Sequence, residues 1–480
     1  MRSLLLILLL WALALPVVAQ SQLALYPAPD SAVQSTDYTV KVNGQPCFAY
    51  QNEVSAIAYF SFSGRVEIEI TTAQDLRWVD IRPKHLGIEP VWQGHKLTFS
   101  LAQPANLSIE LNGESTKPLY LFAAPPEVNV PSRLAKDVLF LAGGKIHDLG
   151  AYQLRPGQTV YIEGGAIVRG AFAGLQAQNL TIRGRGILEG STVKDHRMIY
   201  FYQCQNIEVE GITMVNSDTW TLVPQDCRQV NIRNVKIVSW KFGSDGIDLV
   251  ATSGVRVADC FLRCNDDCIA IKGWGGTEKY PQTPQKGPNI SDIAVRNTVF
   301  WNMAWGNAID IGFELRCDLV SNLSFTDCDV VHVDRGAVFS IHNGDYATVQ
   351  DVRVENLRVE DAMHKLIDVA IFLSQYSLDR PQDEAERKRR YQRGAWDGVL
   401  HVSPGEEAQF ATNRGHIRNL LFKNISVTDG QFPFSIITGY DAAHQVENVR
   451  IENLTVHGRA IGSAKEGRIA LSHCTGIEVK

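Results

Sequence analysis

The sequence predicts an all-β chain, a parallel β-solenoid preceded by a small antiparallel β-sandwich, and three observations carry that prediction. Eight stretches share one frame, apolar at slots 1, 3, 6 and 8, with Gly, Asn or Asp at slot 5. They begin at Ile207, Val230, Val255, Ile293, Leu323, Val352, Leu420 and Val449, and of their apolar slots only Thr298 is polar. Most neighbouring copies lie 23 to 38 residues apart, a period at which stacked coils bury one continuous core. Upstream of about residue 128 the frame disappears, and alternating runs such as 66–70 and 97–101 are separated by Gly and Asn turns.

Along the chain, residues 1–19 read as a secretory signal peptide: Arg2, a Leu-rich run, then Val18 and Ala19 at the expected cut. The run is too short and wrongly flanked for a membrane span, and nothing later is long enough to cross a bilayer. The expected location is secreted or periplasmic. Residues 20–128 form the expected sandwich, with Pro125 and Pro126 in a linker. Residues 129–480 form the solenoid, with an early coil at 161–168 and an inserted excursion at about 373–414. Within the excursion, 381–393 reads as a helix, acids first and bases last. It is either a plain surface helix or a wall over a groove.

Within each copy, alternation at slots 1 and 3 is a strand with one buried face. Slot 5 shifts the phase, so that slots 6 and 8 carry the apolar face. Gly211, Asn234, Asp259, Asn297, Asp327, Asn356, Asn424 and Asn453 stand there, the residue types that tolerate a left-handed bend. Each copy is therefore strand, corner, strand, and the corner accounts for the glycosylation-type sequons at Asn424 and Asn453. The Leu-x-x-Leu-x-Leu frame of leucine-rich repeats is absent. Of nine cysteines, Cys204 and Cys227 fall one coil apart and should stack at a spacing compatible with a disulfide, whereas Cys260 and Cys328 occupy slot 6 as core residues. Cys260, Cys264 and Cys268 lack a His at metal-ligand spacing, so no metal site is expected, and no cofactor. A net charge of −6 argues against nucleic acid as a partner.

After the copies come further short strands with a small or acidic middle residue: Asp248, Ala270, Asp310, Ser340, Asp368, Ser435 and Ala470. Their flanks should point inward and the middle residues outward, giving a low groove floor suited to a long polar ligand. Three positions earlier stand Asp245, Asp267 and Asn307, expected to stack on consecutive coils, with Asp266 next door. Crowded carboxylates repel, so at least one holds a proton near neutrality. One protonated and one ionised carboxyl is what glycosidic hydrolysis requires. Backbone capping and calcium binding are the duller readings of the same acids.

The run 243–248, containing Ser244, Asp245 and Gly246, followed by Asn265, Asp266, Asp267, Cys268, Ile269, Ala270, Ile271 and Lys272, resembles the polygalacturonase family, family 28 of the glycoside hydrolases. The resemblance covers roughly residue 139 onward and implies a right-handed parallel β-helix. It implies Asp266 as general acid, and Asp245 and Asp267 as the holders of the attacking water, with inversion. Asp248, Lys272, Asn307, Asp310, Arg316 and His342 are further groove candidates. Two departures matter. Asn307 stands where the family has a His, and Ser340, Ile341 and His342 replace the Arg-Ile-Lys that grips a uronate carboxylate. The N-terminal sandwich also resembles the dextranase and isopullulanase family, which acts on neutral α-glucans. Trp274, Tyr280, Trp301, Trp305 and Tyr440 are candidate stacking platforms. The expected partner is a polysaccharide or oligosaccharide. The rivals are a neutral-glucan hydrolase, a carbohydrate-binding solenoid without catalysis, and a polysaccharide lyase.

Overall fold

The computed structural model describes residues 22–194, 197–276, 285–393 and 398–480; the leader-type stretch 1–19 and Tyr280 lie outside them. The N-terminal unit is two facing sheets. One has the order Leu23–Leu25, Ala56–Phe62, Glu114–Ala124, Ala105–Leu111, Val79–Arg82, and the other Gln45–Cys47, Tyr38–Val42, Val66–Thr72, Lys96–Leu101, Val91–Gln93. The sandwich is antiparallel except at one pair, where Glu114–Ala124 runs parallel to Ala56–Phe62. Ala56–Phe62 is buried throughout because both of its faces are covered. Ala58, Phe60 and Phe62 face the sandwich core, while Ile57 and Tyr59 join Tyr120, Phe122, Phe261, Trp301 and Val331 between the two units.

From Val138–Leu141 to Cys474–Val479 the strands build a parallel β-helix. The register links slot 1 of every copy to slot 1 of the next: Ile207, Val230, Val255, Ile293, Leu323, Val352, Leu420 and Val449. All eight slot-5 residues have positive φ, between 46° and 84°. Successive corners are tied by side-chain amides, as where Asn453 Nδ2 donates to Asn424 Oδ1 and Asn424 Nδ2 to Asn356 Oδ1, both at 2.9 Å. A second left-handed corner, unanticipated from the sequence, precedes slot 1 at Asn206, Gln229, Gly254, Asp292, Asn322, Asp351, Asn419 and Asn448.

Cys204 and Cys227 stack on neighbouring coils as free thiols, the Cys204 N–H donating to Cys227 Sγ at 3.4 Å. The excursion carries the helices Glu384–Arg393 and Glu407–Phe410, and a small core of Leu373, Leu400 and Phe410 holds it. Arg414, buried, donates to the backbone oxygens of Gly344 and Phe372 and pairs with Asp379, fastening the excursion to the coil beneath. Among the described residues no helix is long and apolar enough to cross a membrane.

The sandwich docks through a buried ionic cluster as well as apolar surface. Arg82 Nη1 donates to Glu360 at 2.6 Å and Nε to Glu110 at 3.1 Å, while His332 lies between Glu110 (3.1 Å) and Asp361 (3.2 Å).

Candidate active site

The groove floor follows the register. Asp248 pairs with Ala270, Ala270 with Asp310, Asp310 with Ser340, and Ser340 with Asp368. The expected column breaks at the next coil. A register shift between Lys365 and Asp368 brings Ile436 beside Asp368, and Ser435 turns to accept from the Ile367 N–H at 3.3 Å. Ile436 therefore takes the place anticipated for Ser435. The floor is also not open: Asp248 and Asp310 are fully buried beneath a second tier of side chains.

That second tier comes from the turns preceding the floor strands. Three backbone hydrogen bonds stack these turns: Gly246 N–H to Asp267 O (2.8 Å), Cys268 N–H to Asn307 O (3.0 Å) and Ala308 N–H to Ala337 O (3.0 Å). Asp245, Asp266 and Asp267 consequently converge, one oxygen from each lying within 4.8 Å of the others. Asp245 and Asp267 are buried and Asp266 is half-buried at the mouth. The Asp267 N–H donates to Asp266 Oδ1 at 3.1 Å. Asn307 holds Asp267 twice over, backbone N–H and side-chain amide both donating to Oδ1 at 2.7 and 3.2 Å, and its own Oδ1 accepts from Ala337 N–H at 2.9 Å.

Burial raises the pKa of Asp245 well above the usual carboxylate range, reinforced by Asp248, Asp266 and Asp267. Asp267 is raised by burial first, then by Asp310 and Asp266, against the pull of Lys272 and the Asn307 N–H. Burial also lifts Asp248 to about 7. Burial opposes the charge of Lys272, yet Glu314, Asp245, Asp267 and Asp248 outweigh it and push its pKa up. The triad's spacing also suits a cation, but Lys272 already brings positive charge to the same acids.

The remaining candidates divide. Lys272 reaches Gly312 O at 3.5 Å and Glu314 at 3.9 Å. His342 is sealed between Asp310 and Asp368, 3.1 Å from each, and stacks on Phe313 at 5.0 Å. The two carboxylates overcome the cost of burial and raise the imidazole pKa to about 10. Arg316 turns to Asp345 (3.4 Å) and Tyr376 O (2.6 Å). Of the proposed stacking platforms, Trp274 and Trp301 are core residues, and Tyr440 props the excursion through its hydroxyl on Glu407 O. Trp305 alone among the described ones stands at the mouth, edge-to-face with exposed Phe242 at 5.3 Å and under Arg335 at 4.5 Å.

Several site residues escaped the sequence reading. Gly306 has φ 61°, and a Cβ there would lie 2.4 Å from Asp266 Oδ1 and 2.5 Å from Asp267 N, so only glycine fits against the acids. The Gly306–Asn307 pair offered a signal for it. Trp220 and Arg197 line the groove N-terminal to the acids, and Tyr376 of the excursion stands over Phe313 at 5.7 Å. No local pattern marks these three, since coil closure alone brings them to the groove.

Fold and site together define a parallel β-helix protein with a carboxylate centre in its groove. Residues 162–371, which include the acids, match the family model described as glycosyl hydrolases family 28, and the chain is a family 28-like β-helix protein with an N-terminal β-sandwich. It is 31% identical over 103 residues to a probable polygalacturonase of Arabidopsis thaliana, covering 20% of this chain and 23% of that protein. It is 24% identical over 306 residues to a probable exopolygalacturonase B of Neosartorya fischeri, covering 59% and 62%. The chain spans less than half the length of each of the first curated relatives it matches. Among solved structures, Dex49A from Penicillium minioluteum shares the fold over 85% of this chain and 91% of that one, with a TM-score of 0.51 at 15% identity.

Proposed function

We propose that the protein is a polygalacturonase-like glycoside hydrolase, exported by its leader-type N-terminus, that cleaves α-glycosidic bonds of a polysaccharide or its oligosaccharides. The observation that carries this reading is the convergence of Asp245, Asp266 and Asp267 within 4.8 Å in the groove, and the family 28 match over these residues supports it. Asp266, the most accessible of the three, protonates the leaving oxygen. Asp245 and Asp267 hold and deprotonate the attacking water. The acids titrate as one cluster, so the catalytic proton is drawn from the group rather than owned by a single residue. Burial and mutual repulsion keep at least one proton there near neutrality, while Lys272 stabilises the charge that remains.

Inversion is the outcome the family resemblance implies. The oxygens are nevertheless closer than the roughly 6.5–9.5 Å usual between inverting carboxyls. The anomer first released, read by NMR, decides between inversion and retention. A second reading, hydrolysis of a neutral α-glucan, is favoured by His342, whose charge is consumed by Asp310 and Asp368 where the family keeps a uronate clamp. Reducing-end release from polygalacturonate, rhamnogalacturonan, dextran and pullulan tests both. Activity on one of them should fall by about 100-fold or more in Asp266→Asn. Undiminished activity in that variant would overturn the acid assignment, and silence on all four substrates would favour a binding solenoid.

A further inference from the structure

The groove floor does not end at the acids. Leu222 pairs with Ile247 and Gln225 with Val250, which sets Val223 beside Asp248; the column then continues through Tyr200 and Ala173 to Gln153. Where this column leaves the catalytic coils, a cavity of about 270 Å³ opens, lined by Ala151, Tyr152, Gln153, Ala173, Arg197 and Tyr200. The alanines leave the room and the aromatics supply flat faces suited to a sugar ring. The Arg197 guanidinium lies 4.9 Å from the Tyr200 ring centre and 5.2 Å from that of Trp220. The Lys272 ammonium lies 5.1 Å from the same Trp220 ring, so one indole joins the cavity to the catalytic centre.

Arg197 differs from the other cations of the groove. Lys272 has Glu314, Arg316 has Asp345, His342 has Asp310 and Asp368, and Lys365 has Asp368. Among the described residues no carboxylate pairs with Arg197, and its Nε is buried without a hydrogen-bond partner. Burial accordingly lowers its pKa, with only Tyr200 and Asp248 opposing. A desolvated guanidinium without a counter-charge is costly, and an anion supplied by a ligand would relieve that cost.

We propose that this cavity is a distal subsite for an anionic sugar of the bound glycan, its carboxylate or sulfate ester received by Arg197 while its ring rests against Tyr152 and Tyr200. The subsite begins two coils, about 10 Å, from Asp248 at Tyr200 and reaches the fourth coil at Gln153. The inference rests on the reading that a glycan occupies the groove. It places recognition of an anionic group, lost at His342, on the opposite side of the acids.

The test is calorimetric titration of the purified protein, Arg197→Gln and Arg197→Lys with three ligands: an oligogalacturonide, its carboxyl-reduced counterpart and a sulfated neutral oligosaccharide. The expected result is that the wild type prefers an anionic ligand to the reduced chain. Arg197→Gln should lose about 10-fold or more of that affinity, Arg197→Lys less, and neither should change binding of the reduced chain. Preference for the galacturonide identifies the anion as a uronate, and preference for the sulfated ligand identifies it as a sulfate ester. Equal affinity for all three ligands, or an unchanged preference in a folded Arg197→Gln, would overturn the subsite. Reducing-end assays on the same ligands separate the two readings. Cleavage indifferent to Arg197 sinks only the subsite, and Arg197-dependent binding without cleavage sinks only the hydrolase.

Discussion

Asn307 grips Asp267 from the next coil, donating both its backbone N–H and its side-chain amide to a single carboxylate oxygen. The residue that departs from the family pattern is thus part of the site's framework, positioning an acid and passing the contact on to Ala337. Asn307→Ala keeps the backbone donor and removes the amide. Because a hydrogen bond to the ionised form favours ionisation, its loss should raise the acidic limb of the pH–rate profile and lower kcat more than it raises KM. A fall in stability without any shift of that limb would assign Asn307 a purely structural role.

Asp248 gives the fold a pH dependence of known sign. Its carboxyl is buried beside that of Asp245, and burial lifts its pKa to about 7. The native state therefore holds a proton that the unfolded chain releases near pH 4, so stability is greatest below that value and falls as pH rises through about 7. Asp248→Asn should flatten this decline. Its melting temperature relative to wild type is expected to be higher at pH 8 than at pH 4. Equal differences at the two pH values would show that Asp248 is ionised without penalty in the native groove.

What was legible in the sequence, and what was not, follows from the range of the interactions. Slots 1 to 8 are local, and the register of Ile207 on Val230 and onward to Val449 is the one their spacing demands. Slot 5 announced its corner because Gly, Asn and Asp recur there. The corner before slot 1 mixes Asn, Gln, Gly and Asp outside any apolar period, and passed unseen. Asp245 and the Asp266–Asp267 pair were legible because their offsets on consecutive coils are fixed. The partners of Arg316 were not, since Asp345 and Tyr376 reach it from the next coil and from the excursion. Trp301 reads as a groove platform until the sandwich is docked on it. The apolar Val215, Val238 and Val331, one position beyond slot 8, were the signal that this face is covered.

His342 predicts the opposite test of the family clamp. Held by Asp310 and Asp368, its imidazolium offsets two buried carboxylates. Replacing it by Ala strips Asp310 of this counter-charge and leaves Asp368 with Lys365 alone, at a cost of about 3–5 kcal/mol. With its pKa raised to about 10, the pairing contributes fully below the unfolded value near 6.5 and is lost as pH rises through about 10. Resistance of the wild type to denaturant should weaken over that interval, and His342→Ala should lack that slope. A variant as stable as wild type at pH 7 would mean that the imidazolium contributes nothing between the two carboxylates.

The docking of the sandwich is titratable in the same way. Arg82 reaches Glu360 across the boundary, and His332 answers from the β-helix to Glu110 of the sandwich. Burial disfavours the charged imidazole, but Asp361 and Glu110 raise its pKa to about 9. Its contribution is therefore complete below about pH 6.5 and disappears as pH climbs through 9. Arg82→Ala takes the guanidinium from Glu360 and leaves Glu110 with His332 alone, and should cost about 3–5 kcal/mol, most of it as looser docking. Limited proteolysis near residues 125–130 is the direct readout. Cleavage should accelerate in the variant at pH 7, and in the wild type as pH rises from about 6.5 to about 9. If Arg82→Ala resisted protease as the wild type does, the apolar contact of Tyr120, Phe122, Phe261 and Trp301 would be sufficient to hold the two units together without the ionic cluster.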